Sequence, residues 1–522
     1  MFRLLYLEVD SHPILKGINI NFTEEDKLDI NDDIYTSVFI GQNGTGKSEI
    51  LSFIASVFRN IDNLKCKKTD KFEISHHFRL IYRFDNDIYE ISTDRIQPSG
   101  NGRTKRNILI SFFKNKPYKI EIAKKMGFKN IFSELKENRK YEIKIKDLLL
   151  PERILACSIM LTDKFNSKST ESYRYLGVRN EGSPQVAGTK ALIRRTVDFI
   201  IESLKEPYFI KELKGLLSFL ELQESLSISY IPRYKSIFLK GNLTIDDFND
   251  YFINWQKSFK NRKEKPWGYN HFMRIKNDTE LVEKIVVFLN DLSGKLETYG
   301  SRGKYFSYDI LNNTDIADDF DMIKQLDYLN LIAYPSISIK KKDKPSYNLE
   351  RSSSGETHFV TSMIGLLASI KQNSLIFIDE PEISLHPDWQ MKYINQLKKT
   401  FKSFSTSHFL IATHSHFMIS DLEPNTSSLI ILSLDAENKI IAESIEAETY
   451  GWSVDEILYK VFKVRSTRNI FFENKLRELA YTMTREPENK IKISEILGKI
   501  ESYVISEEDP LNKIIYRAKK LI

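Results

Sequence analysis

Two cysteines in 522 residues, Cys66 and Cys157, give no disulfide framework and match no metal-ligand spacing, and they fit a reducing compartment. The nine histidines are scattered and suggest neither an HNH nor a zinc centre. Long hydrophobic runs are also missing. No stretch of about 18 apolar residues occurs, and Met1 to Asp10 lacks the apolar core of a signal peptide, so the expectation is a cytoplasmic chain that does not span a membrane. Charge of one sign is scarce: 77 Lys and Arg against 71 Asp and Glu leave a net +6, which permits local basic patches for nucleic acid without demanding them.

What is present is ample material for a core. With 41% apolar and 28% charged residues the class is globular, and the length exceeds what one core supports, so two to four units are expected. The run Gly41-Gln42-Asn43-Gly44-Thr45-Gly46-Lys47-Ser48 fits G-x-x-x-x-G-K-[ST] at every fixed position. The apolar run Ser37 to Ile40 leads into it, and Ile50, Leu51, Ile54, Val57 and Phe58 follow at helical spacing. A strand feeding such a loop and a helix leaving it suit a phosphate: backbone N–H groups point inward, Lys47 reaches the β/γ-oxygens, and Ser48 offers a hydroxyl to Mg²⁺. A glycine-rich turn before a helix fits the same letters.

Further along, Leu375 to Glu380 reads as an apolar strand ending in two carboxylates. Asp379 is placed to hold Mg²⁺, and Glu380 to orient and deprotonate water, although strands often end in acidic residues. Ser352-Ser353-Ser354-Gly355-Glu356 opens a helix whose free N–H groups suit a γ-phosphate or form an ordinary N-cap. Ile411-Ala412-Thr413-His414 reads as a strand ending in a histidine, able to donate to a phosphate oxygen or simply to cap the strand.

Together these residues resemble the ABC-type ATPases, in particular the group holding the SMC proteins, RecF and the OLD nucleases. On that resemblance Gly41, Asn43, Gly44, Gly46, Lys47 and Ser48 form Walker A. Ser353, Gly355 and Glu356 stand at the signature, usually Ser-Gly-Gly-Gln, with Ser354 and Glu356 departing from it. Asp379-Glu380-Pro381 is Walker B with its catalytic glutamate, Leu385-His386-Pro387 the D-loop, and His414 the switch histidine. The separation of 331 positions from Ser48 to Asp379 matches the arm this group inserts between two half-domains.

The resemblance implies an α/β fold: an ABC-type P-loop ATPase head with a mixed sheet, split by a large, mainly helical insertion and followed by a helical C-terminal extension. Its parts are half-domain I at 1–190, the insertion at 191–332, half-domain II at 333–450, and a partner-binding region at 451–522. ATP and Mg²⁺ are the implied cofactors, with catalysis by Glu380 and His414 and metal held by Ser48 and Asp379. Two heads would close on ATP, one giving Walker A and the other the signature, as a homodimer or higher homo-oligomer. A Q-loop glutamine is implied too, and neither Gln97 nor another residue matches it.

Beyond His414 there is no Asp-x-Asp of the kind OLD-type nucleases carry. Ser158 to Lys164, Tyr173 to Arg179 and Gly451 to Leu458 resemble the PtuA-type ATPase subunits of Septu and retron-associated antiphage systems. That resemblance implies a separate nuclease partner, HNH-type (PtuB-like) ahead of TOPRIM-type. The alternative is a RecF- or SMC-like DNA-repair ATPase, contacting nucleic acid through Lys65 to Lys68, Arg103 to Arg106 or Lys340 to Lys344.

Overall fold

The computed structural model describes residues 1–23, 33–69, 72–94, 109–115, 142–179, 188–233, 235–258, 267–299, 303–342, 345–383, 385–420, 422–423, 425–445, 449, 451–462, 468–503, 509 and 511–522. Gln97, Arg103, Lys105, Arg106, Asp343, Lys344 and Arg465 to Thr467 lie outside them. The chain divides into two units, Met1–Gly451 and Trp452–Ile522.

In the first unit the early strands are β1 (Phe2–Val9), β2 (Ile18–Asn21) and β3 (Tyr35–Gly41), the last running into α1 (Lys47–Lys65). The expected second strand from Ile14 to Phe22 is shorter, because the His12 ring nitrogen Nδ1 accepts from the N–H groups of Ile14 and Leu15 and holds them in a turn. Then come β4 (Phe78–Phe84), β5 (Asp87–Asp94), β6 (Leu109–Asn115), β7 (Ile154–Ser158) and β8 (Tyr173–Gly177).

The central stretch is mainly helical: α2 (Thr189–Ser203), α3 (Phe209–Phe219), α4 (Ile245–Ser258), α5 (Trp267–Ile275), α6 (Thr279–Gly294) and α7 (Asp315–Tyr328). It also carries strands that helical periodicity hid, β9 (Leu222–Tyr230), β10 (Glu297–Tyr299) and β11 (Gly303–Asp309). These join β12 (Ser336–Lys341) and β13 (Tyr347–Asn348) in an antiparallel sheet of order β10-β11-β9-β12-β13. The unit ends with α8 (Ser354–Leu367), β14 (Leu375–Asp379), α9 (Pro387–Thr400), β15 (His408–Thr413), β16 (Ser427–Leu434) and β17 (Ile440–Ile445).

The central sheet has order β17-β16-β3-β15-β14-β7-β8, parallel apart from β17. Its inner strands are continuous apolar runs, as strands covered on both faces must be. On one face lies α1, which buries Ile50, Leu51, Phe53, Ile54, Val57, Phe58 and Ile61 because a second sheet, β2-β1-β4-β5-β6, covers its other side. Phe58 meets the rings of Phe2 and Tyr82 at 5.8 and 5.3 Å, and Phe53 that of Phe78 at 5.4 Å. Each buried aromatic or aliphatic side chain of this kind contributes about 1.5–3 kcal/mol.

A polar clamp joins the two sheets. Leu4 N donates to Nδ1 of His408 at 3.0 Å, whose Nε2 meets Ser37 Oγ at 2.9 Å. The buried Arg3 guanidinium donates to the carbonyls of Ser407 at 2.6 Å and Ser405 at 3.0 Å. Burial holds His408 well below its ordinary pKa, so it serves as a neutral connector.

The second unit packs α11 (Ile470–Arg485), α12 (Lys490–Glu501) and α13 (Leu511–Lys519) around Leu479, Ile493, Ile496, Leu497, Ile500 and Ile515, after the short α10 (Val454–Lys460). The Ser453/Glu456 capping box starts α10, and Lys460 reaches back over the Trp452 ring at 4.2 Å.

Asp198 on α2 sits near Lys324 and Asp327 of α7, and Arg194 pairs with Asp327. Burial pushes the Asp198 carboxyl up to about 6, against the pull of Lys324 and Arg194. An acid whose folded pKa lies above its unfolded value stabilises in its protonated form. That contribution is complete below 3.8 and is lost as pH rises through about 6. Between about pH 7.5 and about pH 5, the parent's unfolding temperature should therefore gain on that of Asp198→Asn. Parallel pH slopes for the two proteins would refute this.

Candidate functional site

Parallel pairing sets the site. Ile40 of β3 stands opposite Thr413 of β15, Ala412 opposite Asp379 of β14, and Asp379 opposite Ser158 of β7, so four strands end on one line. Polar groups gather where such strands stop. The loop after β3 curls through Gly44 and Gly46, at φ +83° and +81°, a left-handed backbone that favours glycine. Gly46 is also the N-cap of α1, whose first N–H groups have no side-chain cap. Asn43 and Gly44 are exposed at the tip.

Lys47 is 4% exposed and folds back into the loop. Its ammonium donates to the carbonyls of Gly41 at 2.8 Å and Gln42 at 3.1 Å and lies 3.3 Å from Nδ1 of His414. Burial lowers its pKa to about 8, although Glu380, Glu382 and Asp379 pull the other way. Ser48 Oγ donates to Asp379 Oδ1 at 2.9 Å. Asp379 is 3% exposed, and burial pushes its carboxyl up to about 7, reinforced by Glu380, Asp163 and Glu382. A hydroxyl and a carboxylate oxygen converging beside a phosphate loop are the hard oxygen donors that Mg²⁺ takes, so these residues fit the ion.

Glu380 lies just past the strand at φ +51°, an uncommon backbone for a side-chain-bearing residue, and its N–H donates to Ala412 O at 2.8 Å. The turn aims its carboxylate at His414, with Oε1 3.3 Å from Nε2. The hydrogen bond from His414 holds Glu380 below its usual range, so it is ionised and can accept a proton. His414 thus bridges Lys47 and Glu380.

The structure brings Gly41, Lys47, Ser48, Asp379, Glu380 and His414 together. Ser353 and Glu356 stand outside this group, at the start of α8 with Gly355, where Ser353 accepts from Glu356 N at 3.2 Å. Among the described residues no hydrogen bond joins Ser353 or Glu356 to the phosphate loop of the same chain. Gly355 shares a small cavity with Asp379, Pro381 and Leu385.

Sequence reasoning passed over three groups. Glu382 Oε1 accepts from His414 N at 2.5 Å, and burial raises its pKa. Gln390 of α9 accepts from Ser415 Oγ at 2.6 Å and donates to Leu385 O at 2.9 Å, tying the D-loop to the switch segment. No glutamine stands between β7, the strand beside Walker B, and β8. Asp163 stands there, held by Arg179 at 2.6 Å and by the Tyr175 hydroxyl at 2.6 Å. The third acidic residue of Asp-Glu-Pro-Glu was the one available signal for Glu382. Of the lysines considered for nucleic acid, Lys65 donates to Leu148 O at 2.5 Å and Lys341 pairs with Glu356. Among the described residues no helix is long and apolar enough to cross a membrane.

The family described as "AAA ATPase domain" matches residues 15–419. The Septu protein PtuA of Bacillus thuringiensis is 29% identical over 144 residues, 27% of this chain and 34% of that protein, so the chain spans about a third of the length of this curated relative. Among solved structures, the Smc head domain of Pyrococcus furiosus with an extended coiled coil, bound to the C-terminal domain of ScpA, is 14% identical. It covers 89% of this chain and 100% of its own, at a TM-score of 0.33. The SMC head domain of Thermotoga maritima is 11% identical, covering 85% and 100% at 0.35.

Removing the carboxylate that holds the His414 backbone should misplace the imidazole without touching the phosphate loop. Glu382→Ala is expected to lower kcat for ATP about tenfold to a hundredfold, the cost of one charged hydrogen bond, with little change in KM. Steady-state ATPase kinetics check it, and a pure KM effect would contradict the positioning role.

Proposed function

The chain belongs to the AAA ATPase domain family, and from that premise we propose that it is the ATPase subunit of a prokaryotic antiviral complex, dimerising around ATP to control a separate nuclease. The observation that carries the reading is the split of the site. Loop, Walker B carboxylates and switch histidine converge in one chain, while among the described residues the signature makes no hydrogen bond to them. A second copy supplying Ser353 to Glu356 would complete the cradle.

Within that site Lys47, freed from Gly41 and Gln42, binds the β/γ-phosphates, and the unfilled N–H groups of α1 receive their oxygens. Ser48 and Asp379 would hold Mg²⁺, which when bound neutralises charge on the transferring phosphoryl group. Glu380 orients the attacking water and accepts its proton, and His414 donates to the γ-phosphate. Asp379 must ionise for this role, and Mg²⁺ would favour the ionised form against the burial that pushes the carboxyl up.

The antiviral assignment draws on the partial match to PtuA, and the nuclease on the PtuA-type resemblance. The helical second unit is the part offered for the partner, because Ile470, Phe471 and Ile491 are 66%, 78% and 76% exposed on it. The DNA-repair alternative has less support, since Lys65 is committed inside the chain.

Glu380→Gln should bind ATP, lose hydrolysis by about a hundredfold or more, and run as an ATP-dependent dimer in light scattering. Hydrolysis at the parental rate would remove Glu380 from the mechanism, and a chain monomeric with ATP would remove the dimer. For the complex, the neighbouring gene product should co-purify with the chain, and Lys47→Ala should abolish phage protection. Failure of both sinks the antiviral assignment.

A further inference from the structure

The signature helix begins with a carboxylate where resembling ATPases carry a glutamine. That single exchange matters chemically: an ionised carboxylate only accepts hydrogen bonds, and so do the oxygens of an ionised phosphate. Glu356 therefore cannot do what a glutamine amide does there. Its charge also occupies the first turn of α8, where the helix dipole would otherwise favour an incoming anion.

The structure pairs this carboxylate with a cation. Glu356 Oε1 lies 2.5 Å from Lys341 Nζ, at the end of β12, and accepts from the Tyr347 hydroxyl of β13 at 3.1 Å. The ammonium also sits 5.7 Å from the Tyr347 ring centroid. The pair raises the Lys341 pKa, so the side chain stays charged. Together they form the wall of a cavity of about 700 Å³ that Lys342, Ser353, Leu385 and His386 also line. Of three ammonium protons, Glu356 takes one and the Tyr347 oxygen a second, which leaves a donor for a ligand entering beside Ser353.

We infer that Lys341 is the group that meets the γ-phosphate of ATP bound to a second copy of the chain, and that Glu356 positions Lys341 instead of touching the phosphate. The inference rests on the dimer reading above. A lysine brought in by a strand end takes over the donor role that the signature helix gave up.

The test uses the full chain carrying Glu380→Gln, with ATP and Mg²⁺, and reads the dimer dissociation constant by light scattering. Adding Lys341→Ala should weaken the dimer about tenfold to a hundredfold, the loss expected for one charged hydrogen bond. Lys341→Arg, which keeps charge and donors, should restore most of it. The side chain is 39% exposed, so the truncation leaves the core intact, and an unchanged unfolding temperature verifies this. Lys341→Ala with Glu356→Ala decides between two roles. If Lys341 binds the phosphate the double variant stays weak, whereas recovery would mean that Lys341 only neutralises Glu356 and overturns the inference. Lys341→Ala dimerising like its parent overturns it as well. A parent that stays monomeric with ATP sinks the dimer reading itself, and this inference with it.

Discussion

The in-register parallel pairing of β3, β15, β14 and β7 is the constraint on which the molecule depends. Because the pairs Ile40–Thr413, Ala412–Asp379 and Asp379–Ser158 lie opposite one another, groups from four distant segments end at one height. A slip of one residue would invert every side chain on a strand and break the alignment of the polar groups at the strand ends. Burial on both faces, by α1 on one side and by helices such as α8 on the other, fixes the register that the chemistry requires. Loop-closure entropy grows only logarithmically with length, which is why Ser48 and Asp379 can lie 331 positions apart at modest cost.

The same geometry concentrates charge where it is uncomfortable. Burial lowers the Lys47 pKa and raises that of Asp379, because a low-dielectric surrounding disfavours either charge. Lys47 is satisfied only by carbonyls and an imidazole, while three acidic groups lie close to it. A polyanion carrying a divalent cation would relieve both sides at once. Nucleotide binding and local stability are therefore coupled by electrostatics, as ligand linkage requires. The Arg3 and His408 clamp contrasts with this. Its hydrogen bonds are met within the chain, it needs no ligand, and it ties β1 to the start of β15.

The loop, the two carboxylates and the histidine were legible in the sequence because their chemistry demands fixed residue types beside apolar strands. The capping box of Ser453 and Glu456 was legible for the same reason. Strand β9 was hidden in plain view. Leu226, Ile228 and Tyr230 alternate with less buried residues, but the helical stripe of Leu213, Leu216 and Leu217 just before it set the wrong period. Glu382 was signalled only as the third acidic residue of Asp-Glu-Pro-Glu, because its role follows from the left-handed turn at Glu380. The Lys341–Glu356 pair depends on how β12 and β13 bring two elements together, and no spacing rule encodes that.

The sheet order also bears on how the protein is made. Both neighbours of β3, namely β15 and β16, come from the last third of the chain, and 371 residues separate Ser37 from His408. At roughly 5–20 residues per second, a ribosome would leave this apolar strand without either partner for about 20–75 s. Through that interval the nascent chain carries two open edges on its most buried strand. The phosphate loop, first to emerge among the site's parts, is thus among the last to acquire its final shape, and chaperone supply during synthesis bears directly on the yield of active protein.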